Sequence, residues 1–225
     1  MKTFQAFIFI IFLVLKVKPL GVCLSICGSA CFASLTKAIC MAFCMGACAA
    51  ATKNCFSVDT TIQVQKNDTI IELPISRVKE NDKVLTLKNG NFELTNVVQI
   101  LNKKGNYTFY ELKARNTKGN IKTIKLTENH GVIIIKNNEK YIIHAKNIKE
   151  GNLVLTNEGI FMIYSVSKLI QNEKYTLYTK DGTVLASNIF VSTICEPDIN
   201  ESISYEKLMK SWRKAHKIIN NYVNY

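Results

Sequence analysis

Asn54-Cys55-Phe56-Ser57-Val58-Asp59-Thr60-Thr61-Ile62 divides the chain into two compositions. Before it lies a stretch of small and apolar residues carrying six of the eight cysteines. After it the sequence turns strand-like and rich in Lys, Asn and Ile, with Cys195 near the end of that stretch. A thiol on the first residue of a new domain can attack the peptide carbonyl that immediately precedes it. Cys55 is therefore read as a nucleophile facing the Asn54 carbonyl, with Asn54-Cys55 as the junction.

Outward from the junction toward the C-terminus, short apolar runs alternate with turn signals. These signals are Leu87-Lys88-Asn89-Gly90-Asn91, Lys104-Gly105-Asn106, Thr117-Lys118-Gly119-Asn120, Lys136-Asn137-Asn138, Asn157-Glu158-Gly159 and Lys180-Asp181-Gly182. Strands separated by such turns at short intervals predict a mainly β domain. An internal echo runs through it: Val78-Lys79-Glu80-Asn81-Asp82-Lys83-Val84-Leu85-Thr86 recurs as Ile148-Lys149-Glu150-Gly151-Asn152-Leu153-Val154-Leu155-Thr156. Each copy reads as a basic loop, a left-handed turn residue at Asn81 or Gly151, and a strand. Two related halves in one β body predict a pseudo-twofold arrangement.

The 225 residues suffice for one good-sized core plus a small appendage. The net charge of +12 comes from 29 basic and 17 acidic residues scattered along the chain. Without an aromatic RNA-binding motif or helix-turn-helix pattern, that charge reads as solvated strand faces, and nucleic acid is not expected as a partner. A Gly-rich phosphate loop is absent from the sequence, and neither a metal nor another cofactor is expected.

Toward the N-terminus, Cys23, Cys27 and Cys31 are spaced by four, as are Cys40, Cys44 and Cys48. On a helix each trio follows one face, with Phe32 to Ile39 leaving room for a turn. Paired outside-in as Cys23-Cys48, Cys27-Cys44 and Cys31-Cys40, they form three nested rungs between two antiparallel helices. Such rungs bring Cβ atoms to about 3.8 Å, and Gly28, Ala30, Ala42 and Gly46 permit that approach. Six cysteines allow about fifteen pairings, so connectivity stays open. The spacing is similar to Cys-x-x-x-Cys helical-hairpin peptides; zinc is disfavoured because histidines and a Cys-x-x-Cys knuckle are missing from this stretch.

Residues 1–22 read as a secretory signal: Lys2, an apolar run from Phe4 to Leu15, then Lys16-Val17-Lys18-Pro19. An uncleaved signal anchor is the other reading. Asn67-Asp68-Thr69, Asn106-Tyr107-Thr108 and Asn200-Glu201-Ser202 are glycosylation acceptors consistent with a secretory route and an oxidising compartment. The expected division is signal at 1–22, Cys-rich helical hairpin at 23–54, β domain at 55–195 and tail at 196–225.

Cys55-Phe56 with Thr61-Ile62, the two echoes, Leu126-Thr127-Glu128-Asn129-His130, and Thr179-Lys180-Asp181-Gly182-Thr183-Val184-Leu185 leading to Val191-Ser192 together resemble the Hint module of hedgehog proteins and inteins. The resemblance covers about residues 55–195 and implies a disc of intertwined, twofold-related β halves that processes its own chain. It implies that Cys55 converts the preceding amide to a thioester, that His130 donates a proton to the departing amine, and that Thr127 holds the scissile bond. Two plainer readings remain beside it: His130 as a structural histidine, and Cys55-Cys195 as a fourth disulfide. A reversible Cys55-Cys195 bond would also hold the nucleophile inactive until reduced.

Inteins end in Asn, usually preceded by His. Here Asn188 is followed by Ile189 with no His before it, so a hedgehog-like outcome is expected over splicing. Water, another small nucleophile or a hydroxyl-bearing lipid would then take the acyl group and release the N-terminal segment. The aspartate that activates a sterol in hedgehog modules aligns near Asn102-Lys103, which places sterol transfer in doubt. In the tail, Tyr205, Leu208, Trp212, Ala215 and Ile219 form a helical stripe that either caps the β body or lies on a membrane surface. The rival function is a secreted, non-catalytic, disulfide-rich binding or membrane-active protein with Cys55-Cys195 as a structural bridge.

Overall fold

A computed structural model describes residues 54–194, 203–210 and 212–213. The expected signal, the helical hairpin with its six cysteines, and Cys195 lie outside the described residues.

The described chain is mainly β. Its strands are β1 (Thr61–Lys66), β2 (Thr69–Pro74), β3 (Lys83–Lys88), β4 (Asn91–Arg115), β5 (Ile121–Thr127), β6 (Gly131–Lys136), β7 (Glu139–His144), β8 (Leu153–Thr156), β9 (Gly159–Thr179), β10 (Thr183–Ala186), β11 (Ile189–Ser192) and β12 (Ile203–Ser204). They join one antiparallel sheet in the order β10-β1-β3-β4-β9-β8-β11-β6-β7-β12, with β2 on β1 and β5 on β4. Strands β4 and β9 pair along most of their length and form the spine.

The echo read in the sequence is visible in the backbone. Hairpin β1-β2 turns at Asn67 and Asp68, and hairpin β6-β7 at Asn137 and Asn138, all with positive φ. Such turns match the twist of the strands they join, and Asn and Asp tolerate the left-handed region. A 3-10 turn follows each hairpin, Ile75–Arg77 in one half and Ala145–Asn147 in the other. Asn81 (φ 69°) and Gly151 (φ 85°) then reverse the chain. The Asn81 N–H donates to Val97 O and the Gly151 N–H to Ile163 O, both at 2.8 Å. Asp82 and Asn152 each accept the N–H three residues back, on Lys79 and Lys149, at 2.9 Å.

One expected turn is absent. Lys104-Gly105-Asn106 lies inside β4, where the β4-β9 register slips between Lys104 and Tyr107. Gly105 has φ 147°, so the glycine serves a bulge rather than a reversal.

The main core gathers Phe56, Ile62, Val64, Leu112, Ile124, Leu126, Val132, Phe161, Leu177 and Val191. A second cluster holds Leu87, Ile133, Ile142, Leu185, Phe190 and Ile194 under Tyr205 and Met209 of a helical segment at 205–210. The expected stripe of Tyr205, Leu208 and Trp212 packs on this cluster, together with Met209, which the stripe omitted. Ala215 and Ile219 lie outside the described residues.

Candidate active site

Cys55 is fully buried, and its neighbours fix it from several sides. Phe56 bridges β9 and β5, pairing with Tyr175 and with Leu126. The Phe56 N–H donates to Tyr175 O at 2.7 Å, and the Tyr175 N–H returns a bond to Phe56 O at 2.9 Å. Ser57 N–H donates to Lys125 O at 3.2 Å, and Thr127 N–H to Cys55 O at 3.0 Å. The chain after the nucleophile is thus woven between two strands, and the thiol cannot wander from them.

Thr127 ends β5, and the Cys55 N–H donates to its Oγ1 at 2.9 Å. That N–H belongs to the Asn54-Cys55 peptide, so Thr127 holds the amide whose bond would break. On the other side of that amide, Asn54 is 4% exposed and its Nδ2 donates to Ile194 O at 2.5 Å.

His130 follows β5 by one turn, its N–H donating to Thr127 O at 3.0 Å. Its ring is fully buried and meets Phe56 edge-on, centroids 4.4 Å apart. Nε2 lies 2.9 Å from Ser192 O and Nδ1 lies 3.2 Å from Cys55 O. The sequence placed this ring beside the Cys55 nitrogen; the structure sets it on the carbonyl of the same residue. The physical reason is that an amide nitrogen shares its lone pair with the carbonyl and accepts nothing while planar. Only when the peptide twists does nitrogen become a proton acceptor. Burial pushes His130 down to about 4, against the two carbonyls, which favour the charged ring. The ring is therefore neutral at pH 7, and it can serve a departing amine only by relaying a proton that it first takes up.

The Cys55 Sγ lies 3.2 Å from Thr176 Oγ1 on β9. Burial pushes the thiol above its ordinary range, while the Thr176 hydrogen bond and the ammonium groups of Lys174 and Lys103 pull it back. The structure thus brings Asn54, Cys55, Thr127 and His130 together; Cys195 lies outside the described residues. Thr176 and Lys174 were not read from the sequence. Their signal was available in Lys174-Tyr175-Thr176-Leu177-Tyr178, where alternation sets three polar-tipped side chains on one face of a buried strand.

This geometry coincides with a family. The Hint module matches residues 44–224, most of the chain. The chain belongs to the Hint module family. Among solved structures, an intein from a hyperthermophile is 18% identical, covering 62% of this chain and 99% of that one with a TM-score of 0.55. A DnaB intein from Synechocystis is 18% identical over 62% and 97%, TM-score 0.50. A bacterial intein-like domain from Clostridium thermocellum is 16% identical over 61% and 97%, also at 0.50. No curated protein sequence matches. At these identities the structural likeness concerns the fold alone. The Hint fold implies self-splicing or autoprocessing through a cysteine nucleophile. Within this Hint module, Cys55 is the cysteine buried next to Phe56, where the chain bridges β5 and β9.

Proposed function

We propose that this Hint module cuts the chain that carries it at Asn54-Cys55 and releases the N-terminal Cys-rich segment. The Cys55 thiol gives up its proton to solvent as its sulfur attacks the Asn54 carbonyl, the C–N bond breaks as the S–C bond forms, and the neutral His130 ring takes a proton from solvent and passes it to the freed amine of Cys55. The thioester then passes its acyl group to water, to another small nucleophile or to a hydroxyl-bearing lipid. The supporting observation is the hold on one amide: its N–H is bound to Thr127 Oγ1 at 2.9 Å while the His130 ring rests on the same residue. Rotation of that peptide loses resonance but keeps the ring within reach of the nitrogen.

Release is favoured over splicing by the surroundings of Asn188. It sits with φ 64° in the β10-β11 turn, and its Oδ1 accepts from Gln63 Nε2 at 2.7 Å. A side chain so engaged in a turn is poorly placed to attack its own carbonyl. The proposed route is secretory, with the signal at 1–22 and the glycosylation acceptor Asn67 at an exposed hairpin tip.

Expression of the chain under reducing conditions tests this reading beside Cys55→Ala and His130→Ala. A fragment beginning at Cys55 is expected from the parent chain, none from Cys55→Ala, and about 10²–10⁴-fold slower appearance from His130→Ala. Parent and Cys55→Ala chains that both remain whole with added thiol would establish the non-catalytic alternative.

A further inference from the structure

The two hydrogen bonds that Phe56 and Tyr175 exchange decide what stands beside them. In an antiparallel ladder, a pair that trades both bonds is flanked by pairs that trade none, and those side chains lie closer together. One step back from Phe56 and one step on from Tyr175, Cys55 therefore stands opposite Thr176 on a shared face. Both side chains are buried, Cys55 fully and Thr176 with 3% exposed. Their Sγ and Oγ1 atoms lie 3.2 Å apart, close enough for a hydrogen bond. A buried hydroxyl is costly unless it meets a partner, and Thr176 meets the sulfur.

Burial pushes the thiol above its ordinary range, so at neutral pH the sulfur enters the reaction carrying its proton. In that state either group can donate to the other. Once the proton has left, the sulfur can only accept, and the hydroxyl stands where it can donate. A hydrogen bond to an ion is stronger than one to the neutral group. The contact therefore tightens as the sulfur becomes anionic, and an interaction that grows along the reaction path speeds it.

We propose that Thr176 is a further catalytic residue, whose hydroxyl donates to the Cys55 sulfur as that atom loses its proton and attacks the Asn54 carbonyl. It rests on the self-cleavage proposed above. The thiol proton goes to solvent, the S–C bond forms as the C–N bond breaks, and His130 relays a proton from solvent to the amine. Thr176 keeps its own proton throughout. The ionisable groups around the sulfur are Lys174 and Tyr178 from β9, Lys103 from β4 and His130 after β5. All four are common to the parent and to variants at position 176, so a comparison among these chains isolates the hydroxyl.

Cleavage of the full chain is followed at neutral pH for the parent, Thr176→Val and Thr176→Ser, with hydroxylamine raised until the rate no longer depends on it. The rate is read from the fragment that begins at Cys55. Valine keeps the branched shape and loses the hydroxyl, whereas serine keeps the hydroxyl and loses a methyl group. Thr176→Val is expected about ten- to a hundredfold slower than the parent, and Thr176→Ser within about threefold of it. A role in packing alone would give the opposite order, because serine leaves a small void that valine fills. A Thr176→Val chain that cleaves at the parent rate, or a Thr176→Ser chain as slow as Thr176→Val, overturns the proposal. A parent chain that stays whole overturns the self-cleavage itself, and this proposal with it.

Discussion

His130 carries one proton at neutral pH and faces two carbonyl oxygens, on Cys55 and Ser192. Its folded value of about 4 lies below the ordinary 6.5, chiefly because burial disfavours the charged ring. The unfolded chain therefore binds the proton more readily between these values, and folding stability falls as pH drops through that window. Above pH 6.5 the contribution is fully present; toward pH 4 the loss reaches on the order of 3 kcal/mol. Chemical unfolding from pH 7.5 to 4 in the Cys55→Ala background measures this. Adding His130→Gln is expected to flatten the slope, and an unchanged slope would place the titration elsewhere. Thr127 and His130 were legible as Thr-x-x-His at the end of a strand run. Thr176 and the carbonyl of Ser192 were not, because they meet Cys55 and His130 only through long-range pairing, and a backbone carbonyl leaves no mark on residue type.

The helical segment at 205–210 acts on the site from a distance. Tyr205 Oη donates to Leu87 O at 2.6 Å, and Trp212 Nε1 donates to Lys180 O at 3.1 Å. Beneath it lies Ile194, whose carbonyl holds the Asn54 side chain. Gly182 is where this packing is tightest. It has φ 82°, and an added Cβ would stand 2.7 Å from Trp212 Cδ1 and 3.2 Å from Ile194 Cγ2. Gly182→Ala is expected to cost roughly 1–2 kcal/mol for the left-handed backbone alone. It should also displace the indole. Because the chain has one Trp, a red-shifted emission with slower cleavage reports that displacement; unchanged emission would contradict the packing. The sequence reading recovered this helix from its stripe but placed Met209 outside it, since a stripe drawn from Tyr205 by threes and fours passes through Leu208. Lys104-Gly105-Asn106 misled for a related reason: a glycine among polar residues reads alike in a turn and in a bulge, and only the partner strand separates them.

Across the whole described β body the duplication dominates. Two hairpins, two 3-10 turns and two left-handed residues at Asn81 and Gly151 repeat, and β4 and β9 join the halves. That plan was legible because each half is built from local turns whose Asn and Gly residues the backbone demands. The crossing that brings residues 54–56 between β5 and β9 was not, because it depends on strands about 70 and 120 positions away. The crossing also gives the central claim: a buried thiol is held against the peptide that precedes it. Mass spectrometry of the full chain after hydroxylamine treatment tests this most directly, since the reagent traps a thioester as a hydroxamate. The account predicts an N-terminal piece ending in an Asn54 hydroxamate and a partner beginning at Cys55, both lost in Cys55→Ala. An intact chain, or the same cleavage in Cys55→Ala, would contradict it.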